Sequence, residues 1–125
     1  MKVKLVQRPN PLEKDYPKKY YALAENEGVV DIYELAAQVA KYSSLSPGDV
    51  VNVFENMVDA ASLYLLTGRG VRLGRLGMLR IVLKSVGVEA PEDFNCKLIR
   101  RIKLKFTPNA HMKKQLRDIS YEMSK

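Results

Sequence analysis

Apolar and polar positions alternate most regularly over Val71–Lys84, which reads V-R-L-G-R-L-G-M-L-R-I-V-L-K. A period of two sends successive side chains to opposite faces of a strand. Val71 and Leu73 then point inward from a first strand, and Arg72 points outward. Leu79, Ile81 and Leu83 point inward from a second strand, with Arg80 and Lys84 outward. Gly74 and Gly77 interrupt the two runs and permit a tight turn between them. A third alternating run, Arg101–Phe106, sets Ile102, Leu104 and Phe106 against Arg101, Lys103 and Lys105. Near the start of the chain, Lys2–Val6 alternates and Lys19–Ala24 is rich in Tyr and small apolar residues. The intervening Arg8–Pro17 carries three prolines and reads as a loop. These two strands are expected to form a hairpin or to add to a sheet edge, with Gly28 as the closing turn.

Between the first two strands and the glycine-marked pair the spacing becomes helical. Asp31 is placed as an N-cap with Glu34 three residues on, completing a capping-box pattern, and Val30 with Leu35 makes the hydrophobic staple. Ile32, Leu35, Ala36, Val39 and Ala40 form the apolar side of a helix running to about Tyr42. After Ser43–Ser46, Ser46 caps a second helix, Pro47 takes its first position and Asp49 its acidic third. Leu45 and Val50 repeat the staple, and Gly68 ends this helix near Leu66. Its apolar set includes Val50, Val53, Phe54, Met57, Val58, Ala61 and Leu65, a stripe too wide for one small partner helix. Packing on its own sheet on one side and on a second subunit on the other would account for that width. Ser85–Cys96 is non-periodic, with Gly87, Pro91 and the acids Glu89, Glu92 and Asp93. Thr107-Pro108-Asn109 starts a last helix, with Met112, Leu116 and Ile119 on its apolar side and Lys113, Lys114 and Arg117 around the other.

Charge changes this picture from a scaffold to a surface. The 125 residues carry a formal +7. Residues 1–68 hold seven Lys/Arg against nine Asp/Glu, and residues 69–125 hold fourteen against five, so the excess belongs to the sheet and the C-terminal third of the chain. A one-sided basic surface points to a polyanion, nucleic acid before acidic membrane. Arg72, Arg80, Lys84, Arg101, Lys103 and Lys105 share one sheet surface by alternation, with no acid among the outward positions. Solvated faces normally mix signs. Lys113, Lys114 and Arg117 could flank the same ligand, and Arg69 and Arg75 sit at turns. Tyr16, Tyr20 and Tyr21 could stack on bases, although covering the flank of the core is the plainer role.

Little else in the chain suggests chemistry. Cys96 is the single cysteine, which excludes an internal disulfide and fits a reducing compartment. No apolar run approaches membrane-spanning length and the N-terminus lacks a signal-peptide pattern, so a cytoplasmic protein is expected. His111 is the only histidine and has no neighbours at metal-ligand spacing. G-R-G at Gly68–Gly70 is too short for a phosphate loop. No catalytic residue, metal site, cofactor or small-molecule substrate is expected.

Two helices, a glycine-marked strand turn, a ribbon, a return strand and a basic final helix is an order with a known counterpart. From about Val30 the chain resembles the HU/integration host factor family of bacterial histone-like, DNA-bending proteins. L-G-R-L-G-M-L-R-I at Leu73–Ile81 is similar to that family's L-P-G-F-G-T-F, with the second glycine kept as Gly77 and Leu76 in place of Phe. F-T-P-N-A-H-M-K-K-Q-L at Phe106–Leu116 is similar to its F-K-A-G-K-A-L-K-D-A-V. Residues 1–28 then form an N-terminal β extension, as in an HU-related branch, and 29–125 an HU-like DNA-binding domain. The implied fold is α+β: two helices, a three-stranded antiparallel sheet with a β-ribbon arm, and a short C-terminal helix, in an intertwined dimer.

The resemblance also implies a function: a nucleoid-associated homodimer or heterodimer whose sheet saddle and ribbon arms grip double-stranded DNA without base-specific contacts, while a proline near each arm tip wedges into the duplex. Pro91 falls near the place of that proline. The family's tip is basic, with R-N-P, whereas Pro91 is flanked by Glu89, Glu92 and Asp93, and carboxylates repel phosphates. An ordinary turn proline is the competing reading. Two functions are compatible with these residues: an architectural DNA-binding dimer on the all-basic face, or an HU-like structural module whose acidic tip and N-terminal strands serve a protein partner. RNA is a lesser option, since the A-form groove suits the saddle less well.

Overall fold

The computed structural model describes residues 1–9, 12 and 17–124. Tyr16 therefore lies outside the described residues. The chain divides into two compact units, one of Met1–Val30 with Leu116–Lys125, the other of Asp31–Gln115.

The first unit is a three-stranded sheet. Strands β1 (Lys2–Arg8) and β2 (Lys19–Ala24) form the antiparallel hairpin that alternation predicts, from Val3 opposite Ala24 to Arg8 opposite Lys19. The third strand, β6 (Glu122–Met123), has no sequence signal of its own and joins β1 in parallel, so that β1 is central. Backbone bonds hold it: the Glu122 amide donates to the Met1 carbonyl and the Ser124 amide to the Val3 carbonyl, at 3.0 and 2.8 Å. The Met1 nitrogen donates in turn to the Ser120 carbonyl at 3.0 Å.

The second unit begins with α1 (Ile32–Lys41) and α2 (Pro47–Leu65). The Asp31 carboxylate accepts from the Tyr33 and Glu34 amides, so the expected cap is present. The full reciprocal capping box occurs on α2: the Asp49 amide donates to Ser46 Oγ at 3.1 Å and the Ser46 amide donates to Asp49 Oδ2 at 3.2 Å. Those bonds hold the Asp49 carboxyl below its ordinary value, the Ser46 side chain contributing most and its amide next. At the far end Gly68 takes φ +90°, the left-handed stop expected of it.

The sheet of this unit has three strands and is antiparallel throughout. Strand β3 is only Val71–Arg72; Leu73 is already in the turn, its amide bonded to the Gly77 carbonyl at 2.7 Å. β4 spans Gly77–Ser85 and is central; β5 spans Ile99–Pro108. Between β4 and β5 lies a loop with two single turns of 3₁₀ helix, Pro91–Asp93 and Cys96–Leu98. Helix α3 (Ala110–Arg117) is shorter than its apolar spacing suggests. Ile119, expected on its face, lies past its end because the chain turns there toward β6.

Asn109 fixes where α3 leaves the sheet. Its side chain donates to the Gly74 carbonyl at 3.1 Å, its amide donates to the Leu76 carbonyl at 3.1 Å, and its carbonyl accepts from the Lys113 amide. The strand turn and the helix start are thereby tied together. Among the described residues the only buried hydrophobic side chains are Ala36, fully enclosed, and Leu65, 8% exposed. Leu83, Ile102 and Leu104, read as inward-facing, share one sheet face but are 56%, 65% and 61% exposed. Alternation sorts the faces correctly; within one chain, only the end of the sheet nearest α2 is partly covered.

Candidate functional site

Cross-strand register sets the site. Arg80 stands opposite Lys105, Val82 opposite Lys103, and Lys84 opposite Arg101. One step toward the turn, Arg72 is opposite Met78, which is opposite Thr107. Since opposed residues share a face and alternate residues repeat it, all six expected cations lie on one side of the sheet. Val71, Leu79, Ile81, Leu83, Ile102, Leu104 and Phe106 take the other side. Neighbouring strands are about 5 Å apart and same-face residues about 7 Å apart along a strand. Arg80 and Lys84 on β4 and Arg101, Lys103 and Lys105 on β5 therefore form two parallel rows, with Arg72 on β3 alongside and Met78 and Val82 the apolar residues on the same face.

Such an arrangement costs the isolated fold. Like charges directly opposite one another destabilise a ladder, and here that occurs twice, at Arg80/Lys105 and Lys84/Arg101. All six cations are exposed, and among the described residues none is paired with a carboxylate. Gly70 bears on the placement of Arg80: a methyl group at Gly70 would sit 3.4 Å from Arg80 Cγ and Nε, so the guanidinium stem lies along bare backbone there.

Sequence reasoning missed two contributors. The register shifts between Lys84 and Ser85, where Ser85 opposes Ile99, leaving Arg100 as the extra residue of a β-bulge beside Arg101. A bulge re-aims side chains locally, and the doubled Arg100-Arg101 just before the alternating run was its signal. The second is Asn109, whose tether to the strand turn positions the helix bearing Lys113 and Lys114.

The remaining candidates scatter. Lys113 and Lys114 are exposed on α3, and Arg117, its last residue, falls in the first unit. Arg69 stands 5.2 Å from the centre of the Tyr64 ring, a cation–π contact that accounts for it near the end of α2. Pro91 opens the first 3₁₀ turn: the Asp93 amide donates to the Ala90 carbonyl and the Phe94 amide to the Pro91 carbonyl. Glu89, Glu92 and Asp93 are exposed around it. Tyr20 and Tyr21 lie on β2 in the first unit, on opposite faces of the hairpin. Cys96 is exposed, and no group of three metal-binding side chains is found among the described residues. No described helix is long and apolar enough to cross a membrane.

Behind the cationic face, α2 and the sheet leave an apolar groove of about 570 Å³. Phe54, Met57, Val58, Leu65, Leu79 and Leu104 contribute to its lining.

Comparison with known families places residues 1–123 under the model of HU-HIG, described as an HU domain fused to a winged helix-turn-helix, Ig or glycine-rich motif. The fold is similar to the crystal structure of a candidate bacterial DNA-binding protein from Bacteroides vulgatus, with a TM-score of 0.66 at 15% identity. That likeness covers 98% of this chain and 47% of the other, so the chain spans about half of that protein. No curated protein matches the sequence.

Proposed function

Because this chain belongs to the HU-HIG family, we propose that it is a non-sequence-specific, architectural DNA-binding protein acting as a homodimer. The observation that carries this is the face of Arg72, Arg80, Lys84, Arg101, Lys103 and Lys105, six exposed cations with no carboxylate among them. Such a face contacts phosphates, and nothing in it is arranged to read base edges. Lys113 and Lys114 extend the contact from α3, Arg100 joins at the bulge, and Arg117 is a candidate contact carried by the first unit. The Bacteroides vulgatus neighbour's description points the same way.

Dimerisation rests on what one chain leaves uncovered. Phe54, Met57 and Val58 on α2 are 45–49% exposed and border the apolar groove, whose sheet side is Leu79 and Leu104. The partner that fits is a second copy presenting the same helix, an isologous contact. In the nucleoid such a dimer would lay two cationic sheets side by side on one duplex.

The acidic loop supports a second, narrower reading, a module that keeps the dimer and uses Glu89–Asp93 for a protein partner. One experiment separates them: binding to a random-sequence duplex across a salt series. Six phosphate contacts per subunit give a log–log slope of roughly −5. A slope near −1, or binding that survives Arg101→Glu/Lys103→Glu without loss, rejects the DNA face.

A further inference from the structure

The β1–β2 hairpin sorts its side chains in a way that neither the cationic sheet of the second unit nor the proposed dimer explains. From the register, Lys2, Lys4, Val6 and Arg8 share a face with Lys19, Tyr21 and Leu23. The other face holds Val3, Leu5, Gln7, Tyr20, Ala22 and Ala24 and carries no charge. Every charge on the two strands is thus positive and on one side, while Glu13 and Asp15 of the connecting segment lie outside the described residues. Lys2 is answered by Glu27 at 3.6 Å. Among the described residues no carboxylate pairs with Lys4, Arg8 or Lys19. Arg8 and Lys19 are directly opposed on the ladder, the same unfavourable like-charge pairing found at Arg80/Lys105 and Lys84/Arg101.

A face kept only for solubility, or to protect an edge strand, works as well with mixed signs or a single lysine. Two opposed cations beside Tyr21, half exposed on the same face, are better suited to straddling a phosphate while an aromatic ring lies against a sugar or base.

We propose that this hairpin face, Lys4, Arg8 and Lys19 with Tyr21, is a second phosphate-contacting surface for nucleic acid, separate from the β3–β4–β5 face. The inference rests on the DNA-binding reading above and adds a second contact region to it. Each subunit then has two phosphate-contacting surfaces, one in each unit.

The test uses the full chain and a random-sequence duplex long enough for both surfaces. Arg8→Gln/Lys19→Gln removes two contacts, so the salt slope becomes less steep by about 2, and the fall in affinity between 50 and 200 mM salt shrinks about tenfold. The melting temperature stays level or rises, because a repulsive pair is gone. Lys19→Glu is the second variant: it gives Arg8 an opposite partner, so it raises the melting temperature and still weakens binding. Unchanged slope and affinity in both variants, with the wild type binding normally, overturns the inference. So does a fall in melting temperature with DNA binding unaltered, which would mark a structural role. If the wild type does not bind the duplex at all, the DNA-binding reading itself is what fails.

Discussion

A methyl group at Gly77 would run into the Thr107 carbonyl and lie 2.7 Å from two carbons of the Phe106 ring. The sequence suggests this glycine for a turn, yet the constraint is the close approach of β5, which depends on residues about thirty positions away and is invisible to local pattern. Gly77→Ala is therefore expected to destabilise the second unit by about 1–3 kcal/mol, read as a lower urea midpoint. Gly74, at φ +55° with open space around it, is the one needed for the backbone turn. Asp49 gives a pH signature. Its folded-state carboxyl is lowered from 3.8, so the capping box adds stability above that value and loses it as pH falls through the lowered one. In Asp49→Asn this part of the acid-side loss should vanish from a melting-temperature-versus-pH profile. Pro91 opens a 3₁₀ turn among carboxylates; if the protein bends DNA, Pro91→Ala is expected to leave the bend, measured by energy transfer between duplex ends, unchanged.

Elements were legible where a long period and a cap agreed. α1 and α2 follow directly from Asp31, Ser46, Pro47 and Gly68, and the strands β1 and β2 from the alternation of Lys2–Val6 and the Tyr-rich, small apolar run Lys19–Ala24. The β3–β4–β5 alternation was legible too, and its parity places six cations on one face from the sequence alone. Short elements were not legible. Two residues such as Glu122–Met123 carry no period, and their strand character comes from the neighbour that supplies the hydrogen bonds. The same cause shortens α3: pairing with β1 draws the chain out of the helix before Ile119 can join it. If the ladder face is the contact surface, Arg101→Glu/Lys103→Glu should lower affinity by at least tenfold and flatten the salt slope by about 2. Arg75→Gln, in the turn, should do far less.

At the scale of the molecule, the exposed surface is 11151 Å², against about 8,000 Å² for two separate compact units of this total mass. Phe54, Met57, Leu83, Ile102 and Leu104 are among the large apolar side chains left 45–65% exposed, and they are the strongest argument for a second copy. Phe54→Glu/Met57→Glu is expected to reduce the sedimenting mass toward one chain and to abolish the rise of melting temperature with protein concentration. The width of the α2 stripe suggests a partner, and the groove adds a candidate surface for one. One further consequence comes from the ladder joining β6 to β1. Met1 and Ser120 are 119 positions apart, so β1 must wait for a strand made more than a hundred residues later to complete its sheet. Synthesis order then makes the second unit the earlier to mature, and the hairpin spends that interval with one side of β1 open to any passing chain.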